Sequence, residues 1–155
     1  MASHQQLIET FYQAFARLDY ATMASCYHPQ ASFSDPAFTL QGADIGVMWQ
    51  MLCQRAQNFQ LSFSVTQQGD QVSAHWEPLY LFSQTGRQVH NIIDAEFEFR
   101  DGLIYRHRDH FSFWRWSRQA LGLPGLLLGW TPWLQKKVQQ QAAAGLRAFA
   151  AKAQD

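Results

Sequence analysis

Two alternating runs, residues 90–99 and 103–111, joined by Arg100-Asp101-Gly102, constrain the fold more than any other feature of the chain. The Asp-Gly pair suits the positive φ of a hairpin turn. In the first run Asn91, Ile93, Ala95, Phe97 and Phe99 share one strand face, and His90, Ile92, Asp94, Glu96 and Glu98 share the other. The apolar parity marks the first set as the covered side. In the second run Leu103, Tyr105, His107, Asp109 and Phe111 alternate with Ile104, Arg106, Arg108 and His110. This pairing sets His107 and Asp109 among apolar neighbours. An imidazole and a carboxylate two residues apart on a covered face point either to chemistry or to a buried structural pair held by hydrogen bonds.

The rest of the chain reads as elements around that hairpin. Leu7, Ile8, Phe11, Phe15 and Leu18 recur at helical spacing, with Ser3 as N-cap, and predict a helix over residues 3–18. A second helix, capped by Asp19, carries Tyr20, Met23, Ala24 and Tyr27 on its inner side and is expected to end at His28-Pro29. A short strand over residues 31–35 stops at Pro36, so Asp35 sits where a strand meets a loop. It is either a functional carboxylate on a rigid support or the cap of that turn. Gly42 and Asp44 open a third helix with Ile45, Met48, Trp49 and Leu52 in one stripe. Strands over residues 59–66 and 71–83 follow, Pro78 marking a bulge or an edge in the second. Beyond Trp114 a helix over residues 115–121 breaks at Gly122–Pro124. A dense apolar run, Leu-Leu-Leu-Gly-Trp-Thr-Pro-Trp-Leu, then precedes an Ala/Gln-rich amphipathic tail. The run is too short to span a bilayer. The order of elements is α+β, with helices on one face of a curved antiparallel sheet.

Composition narrows function. Twelve Lys+Arg balance twelve Asp+Glu, so no net field argues for nucleic acid. Six Trp and twelve Phe suit a fold lined by large rings, whether a deep core or an apolar cavity. Cys26 and Cys53 show no metal spacing and no disulfide framework, and are expected as buried thiols. The polar N-terminus lacks an apolar signal segment, so a cytoplasmic protein is expected. The tail could cover a cavity mouth, meet a partner subunit or lie on a membrane; its few basic residues and many glutamines rank membrane contact last.

The helix–helix–strand opening that ends in Phe33-Ser34-Asp35-Pro36, followed by antiparallel strands, resembles the nuclear transport factor 2-like superfamily. Within it the chain is similar to SnoaL-like, ketosteroid isomerase-related proteins over roughly residues 5–115. Runs similar to residues 107–122 recur in a SnoaL-like branch. The resemblance implies an NTF2-like (cystatin-like) cone, with three N-terminal helices over the concave face of a curved antiparallel sheet. Residues 1–115 would form that domain and residues 116–155 a C-terminal helical extension packed on it. It also implies a deep apolar pocket for a small hydrophobic molecule and a homodimer joined sheet to sheet, here through the face carrying His90, Ile92, Asp94, Glu96, Glu98, Arg106 and Arg108.

Asp35 matches the general base of ketosteroid isomerases. The family's oxyanion tyrosine falls on Phe11, with Tyr12 one position away and expected to face elsewhere. The second oxyanion acid falls on Asp94 by motif and on Ala95 by strand parity, and parity is preferred because a one-residue slip changes the face. With neither group in place, steroid isomerisation is not expected. Asp35, His107 and Asp109 remain as candidate catalytic residues, in a pocket walled by Phe11, Phe15, Trp49, Trp76, Tyr80, Asn91 and Phe97. Acid–base isomerisation, dehydration, cyclisation or epoxide opening would suit them, with no cofactor and no metal. The competing class is a non-catalytic ligand-binding or dimerisation module on the same fold.

Overall fold

A computed structural model describes residues 3–153. Helix α1 (His4–Ala16) begins with Ser3 and Gln6 in a reciprocal capping box, Gln6 filling the place where a Glu is more usual. Helix α2 (Tyr20–Ser25) starts at Asp19, whose carboxylate accepts from the Thr22 N–H. It stops three residues before the expected His28-Pro29, and β1 (Tyr27–Ser34) begins at once. Tyr27 and His28 are therefore strand residues, not helix-end residues. Pro29 is tolerated because the pairing of β1 with its neighbour is interrupted between Tyr27 and Ser32, where no ladder N–H is needed.

A hairpin at Pro36 returns the chain as β2 (Thr39–Gln41), an element too short for alternation to reveal. Helix α3 (Ala43–Arg55) follows, then β3 (Gln60–Gln68), β4 (Gln71–Leu81), β5 (Gln88–His90), β6 (Ile93–Arg100) and β7 (Leu103–His110). The strands form one sheet in the order β2-β1-β7-β6-β4-β3, with β5 on β4. All pairs are antiparallel except β1 on β7. Pro78 lies between Trp76, the last β4 residue paired with β6, and Leu79, the first paired with β5. There its missing N–H costs no ladder bond.

Asp101 and Gly102 take φ of 54° and 76° at the tip of the β6–β7 hairpin, as the Asp-Gly pair requires. The parity through β6 is as expected: Asn91 just before it and Ile93, Ala95 and Phe97 within it are buried, Phe99 is half-buried, and their alternates are exposed. In β7 the expected parity fails at one end. A register shift opposite Glu98 and Phe99 buries Ile104 in place of Tyr105, and the alternation resumes at His107.

Helices α1 and α3 pack on the inner face of the curved sheet. Ile8, Phe11, Tyr12 and Phe15 meet Ile45, Met48 and Trp49 and the strand residues Phe33, Trp76, Ala95 and Phe97 in one core. Cys26 and Cys53 are both buried free thiols. The outer face carries ion pairs, His75 with Asp94 and Glu77 at 2.8 Å each, Glu98 with Arg106 at 3.2 Å and Glu96 with Arg108 at 3.5 Å.

After β7 come α4 (Phe113–Ala120), α5 (Leu123–Leu128) and α6 (Pro132–Ala153). Helix α5 packs against α4 through its glycines; a Cβ at Gly125 would run into the Ser117 carbonyl. Helix α6 lies along α3, and its Gln135 and Gln139 amides donate to the Pro36 carbonyl at 3.3 and 3.0 Å. Gly125→Ala is expected to destabilise the chain by about 1–3 kcal/mol because α5 must lift away from α4. Gly145→Ala, at a position in α6 with open space, is expected to stabilise it by up to about 1 kcal/mol. Urea denaturation of both variants checks the contrast.

Candidate functional site

Strand β7 carries His107 into the core with no exposed surface. Phe97 and Phe33 pack around the imidazole at ring-centroid distances of 4.4 and 4.9 Å. A buried imidazole must find partners for both nitrogens, and this one does. Tyr27 Oη lies 2.7 Å from Nδ1, and Asp109 Oδ1 lies 2.9 Å from Nε2. Tyr27 Oη also accepts from the Trp49 indole N–H at 3.0 Å. With that N–H pointing at its oxygen, the Tyr27 hydroxyl has Nδ1 as the acceptor for its own proton. The imidazole proton then sits on Nε2 and is donated to Asp109. The chain Trp49, Tyr27, His107, Asp109 thus runs in one direction and ends on a carboxylate. Burial pushes the Tyr27 phenol well above its usual range, which keeps it a donor. Asp109 Oδ1 receives a second N–H, from Trp76 at 3.4 Å.

Asp109 opens onto a cavity of about 270 Å³. Asp35 lines the same cavity from the β1–β2 turn. Its Oδ1 accepts the backbone N–H groups of Ala37 and Phe38, each at 2.7 Å, so it does cap the Pro36 turn. Among the described residues Oδ2 receives no hydrogen bond. Capping and a cavity-facing carboxylate are therefore compatible, one oxygen for each. Burial, and secondarily the Asp109 charge, push the Asp35 carboxyl up to about 7, against the lowering effect of the two backbone donors.

Tyr80 also lines the cavity, and its oxygen accepts the Trp116 indole N–H at 3.1 Å. Among the described residues its own proton has no acceptor. Burial above all raises this phenol to about 12, so it stays protonated across the working range. Phe15, Trp49, Trp76 and Asn91 complete the lining expected from sequence.

Three expected cavity residues are elsewhere. His107 lies behind Asp109, while Phe11 and Phe97 pack on the His107 ring at 5.9 and 4.4 Å. Strand parity for His107 and Phe97, and helical spacing for Phe11, placed them on the covered side; the cavity occupies only part of that side. Tyr12 does not face away. It is fully buried, stacked on Phe63 at 5.4 Å, and its hydroxyl has no partner among the described residues.

Sequence reasoning missed Tyr27, assigned there to a helix, and Trp116, which belongs to the segment after the hairpin. Phe113, Leu121, Val138 and Ala142 of the same segment also line the cavity. The Trp-Arg-Trp run offered only amphipathicity as a signal. Among the described residues no cluster of three potential metal ligands occurs.

Tyr27→Phe keeps the ring but strands the Trp49 N–H and His107 Nδ1. It is expected to cost about 1–3 kcal/mol, read from denaturant midpoints. Trp49→Phe in the Tyr27→Phe background should add less than it does alone.

The family model for the SnoaL-like domain matches residues 8–107. No curated protein matches the sequence. Among solved structures, a candidate polyketide cyclase of Pseudomonas putida KT2440 is 17% identical, covering 77% of this chain and 99% of its own, with a TM-score of 0.67. A Catenulispora acidiphila protein with a ketosteroid isomerase-like fold is 16% identical, covering 82% and 98%, with a TM-score of 0.66. An M. tuberculosis LEH-like epoxide hydrolase is 19% identical, covering 81% and 95%, with a TM-score of 0.64. At these identities the likeness is one of fold.

Proposed function

The chain belongs to the SnoaL-like family on the NTF2-like fold, and from that premise we propose that it carries out proton-transfer chemistry on a small, largely apolar carbonyl compound, of the isomerisation or aldol-cyclisation type. The observation that carries this reading is the pairing of two groups on one apolar cavity: a carboxyl poised near neutrality, Asp35, and a phenol with an unused proton, Tyr80. A base whose pKa lies near the working pH combines availability with strength. Asp35 Oδ2 takes a proton from the carbon beside the carbonyl. As negative charge moves to the carbonyl oxygen, Tyr80 donates its hydrogen bond to it, and the Trp116 N–H makes the phenol a better donor. The enolate either regains the proton at another carbon or attacks a second carbonyl, whose C=O π bond breaks to an alkoxide that takes the proton back from Asp35.

Asp109 has an electrostatic role in this scheme. Its charge, fixed beside the cavity by His107 and Trp76, raises the basicity of Asp35. His107 and Tyr27 act only by positioning it. Epoxide opening of the kind that uses two carboxylates bridged by an arginine has less support. Arg106 and Arg108 pair with Glu98 and Glu96 on the outer face, and Arg55, at the cavity edge, lies over the Phe149 ring at 5.6 Å.

The test is exchange of the α-protons of an enolisable apolar ketone, 2-tetralone, followed by NMR in deuterated buffer. The wild type should accelerate exchange, with a rate that rises as pH passes upward through about 7, because the base must be deprotonated. Asp35→Asn should lose about 100-fold or more, and Tyr80→Phe about 10–100-fold. Asp109→Asn should move the ascending limb to lower pH. Undiminished exchange in a folded Asp35→Asn variant would sink the base assignment. Saturable 2-tetralone binding without any exchange would instead favour a binding module.

A further inference from the structure

Helix α5 is built inside out. Its glycines, Gly122, Gly125 and Gly129 at or beside its ends and centre, are buried, and a Cβ at Gly125 or Gly129 would collide with Ser117. Its leucines point away: Leu123 and Leu127 are 65% and 60% exposed, and Leu126 and Leu128 are exposed beside them. Trp130 and Trp133 continue the same surface at 74% and 60% exposure. The Trp130 indole N–H is held on the Leu127 carbonyl at 3.0 Å, which fixes the ring against the leucines. A continuous patch of four leucines and two tryptophans is not what an isolated surface carries without a partner.

Charge identifies the partner. The balanced total conceals a partition: residues 110–154 hold Arg115, Arg118, Lys136, Lys137, Arg147 and Lys152 and no Asp or Glu. Among the described residues none of these six forms an ion pair. Lys136 and Lys137 follow Trp133 closely along α6, and two cations sit on tryptophan rings, Arg118 over Trp114 at 4.6 Å and Lys137 over Trp133 at 5.2 Å. Leucines flanked by interfacial tryptophans and unpaired cations match the chemistry of an anionic bilayer surface, apolar below and negative at the headgroups. A second copy on this face would bring two sets of unpaired cations together. No described helix is long and apolar enough to cross a membrane, so contact would be interfacial. The low count of basic residues ranks a membrane last when the sequence is read as a string. The orientation of the leucines and the acid-free stretch of sequence that carries them reverse that ranking.

We propose that the α5 leucines with Trp130 and Trp133, flanked by Arg118, Lys136 and Lys137, form a surface that docks on anionic phospholipid bilayers. The same layer supplies Phe113, Trp116 and Val138 to the cavity wall, so the docked face and the cavity share helices α4 and α6.

The test is co-sedimentation of the full chain with phosphatidylcholine vesicles, with and without about one-third phosphatidylglycerol. Binding to the anionic vesicles should weaken as salt rises, and brominated lipid should quench tryptophan emission. Leu127→Ser with Trp130→Ser, and separately Lys136→Glu with Lys137→Glu, should each weaken partitioning by about tenfold or more while leaving the thermal melt unchanged. Wild-type protein that stays in the supernatant and is unquenched would overturn the proposal. So would wild-type-like binding by the Leu127→Ser/Trp130→Ser variant. A dimer in light scattering that this variant dissociates, without vesicle binding, would assign the face to a second copy and overturn it equally.

Discussion

The candidate site depends on a one-way chain of hydrogen bonds buried between helix and sheet. Trp49 on α3 donates to Tyr27 on β1, which donates to His107 on β7, which donates to Asp109. Each member supplies what the next lacks, so four polar side chains sit in an aromatic core without an orphaned proton. Removing any one of them leaves its neighbour unsatisfied in a medium of low polarity, where the cost is largest. The chain also crosses three elements, and this ties the entry of β1 to the centre of the sheet. Its end point lies on the cavity: Asp109 is held with one oxygen engaged, where its charge is felt by Asp35.

That coupling sets the two carboxylates apart. Asp35 sits on a turn, with backbone donors on one oxygen, and burial, with the nearby Asp109 charge second, pushes its carboxyl up to about 7. The turn is braced from outside by α6, through Gln135 and Gln139 on the Pro36 carbonyl. Trp116 on α4 sets the Tyr80 phenol. The helices after β7 therefore complete the cavity, and the leucine-rich surface they turn outward, on a stretch of sequence without acids, contrasts with the ion-paired outer sheet.

Much of this was legible in the sequence, for physical reasons that differ by residue. The β6–β7 hairpin was readable because period-two alternation and an Asp-Gly turn are local signals. Asp35 stood out because Pro36 ends a strand directly after it. The relay was only half visible. His107 and Asp109 showed by parity, but Tyr27 was hidden by the assumption that His28-Pro29 ended a helix, whereas the unpaired stretch of β1 absorbs the proline. Parity also could not say how far the cavity extends, so Phe11, Phe97 and His107 were expected in its wall when they are packed behind it. The outward leucines of α5 were invisible for the same reason: which side of a short Gly-Leu helix is covered is decided by the close approach of Gly125 to Ser117, a tertiary contact. Tyr80 appeared only as a ring, since its role rests on a partner, Trp116, that is 36 residues away.

The most direct measurement is the titration of Asp35 itself, by NMR of its carboxyl carbon in the folded wild type and in Asp109→Asn. The account predicts a wild-type midpoint near 7 and a lower one in the variant, because the neighbouring charge has been removed while burial remains. An Asp35 that titrates in the ordinary carboxylate range in the wild type, or whose midpoint is indifferent to Asp109, would contradict it.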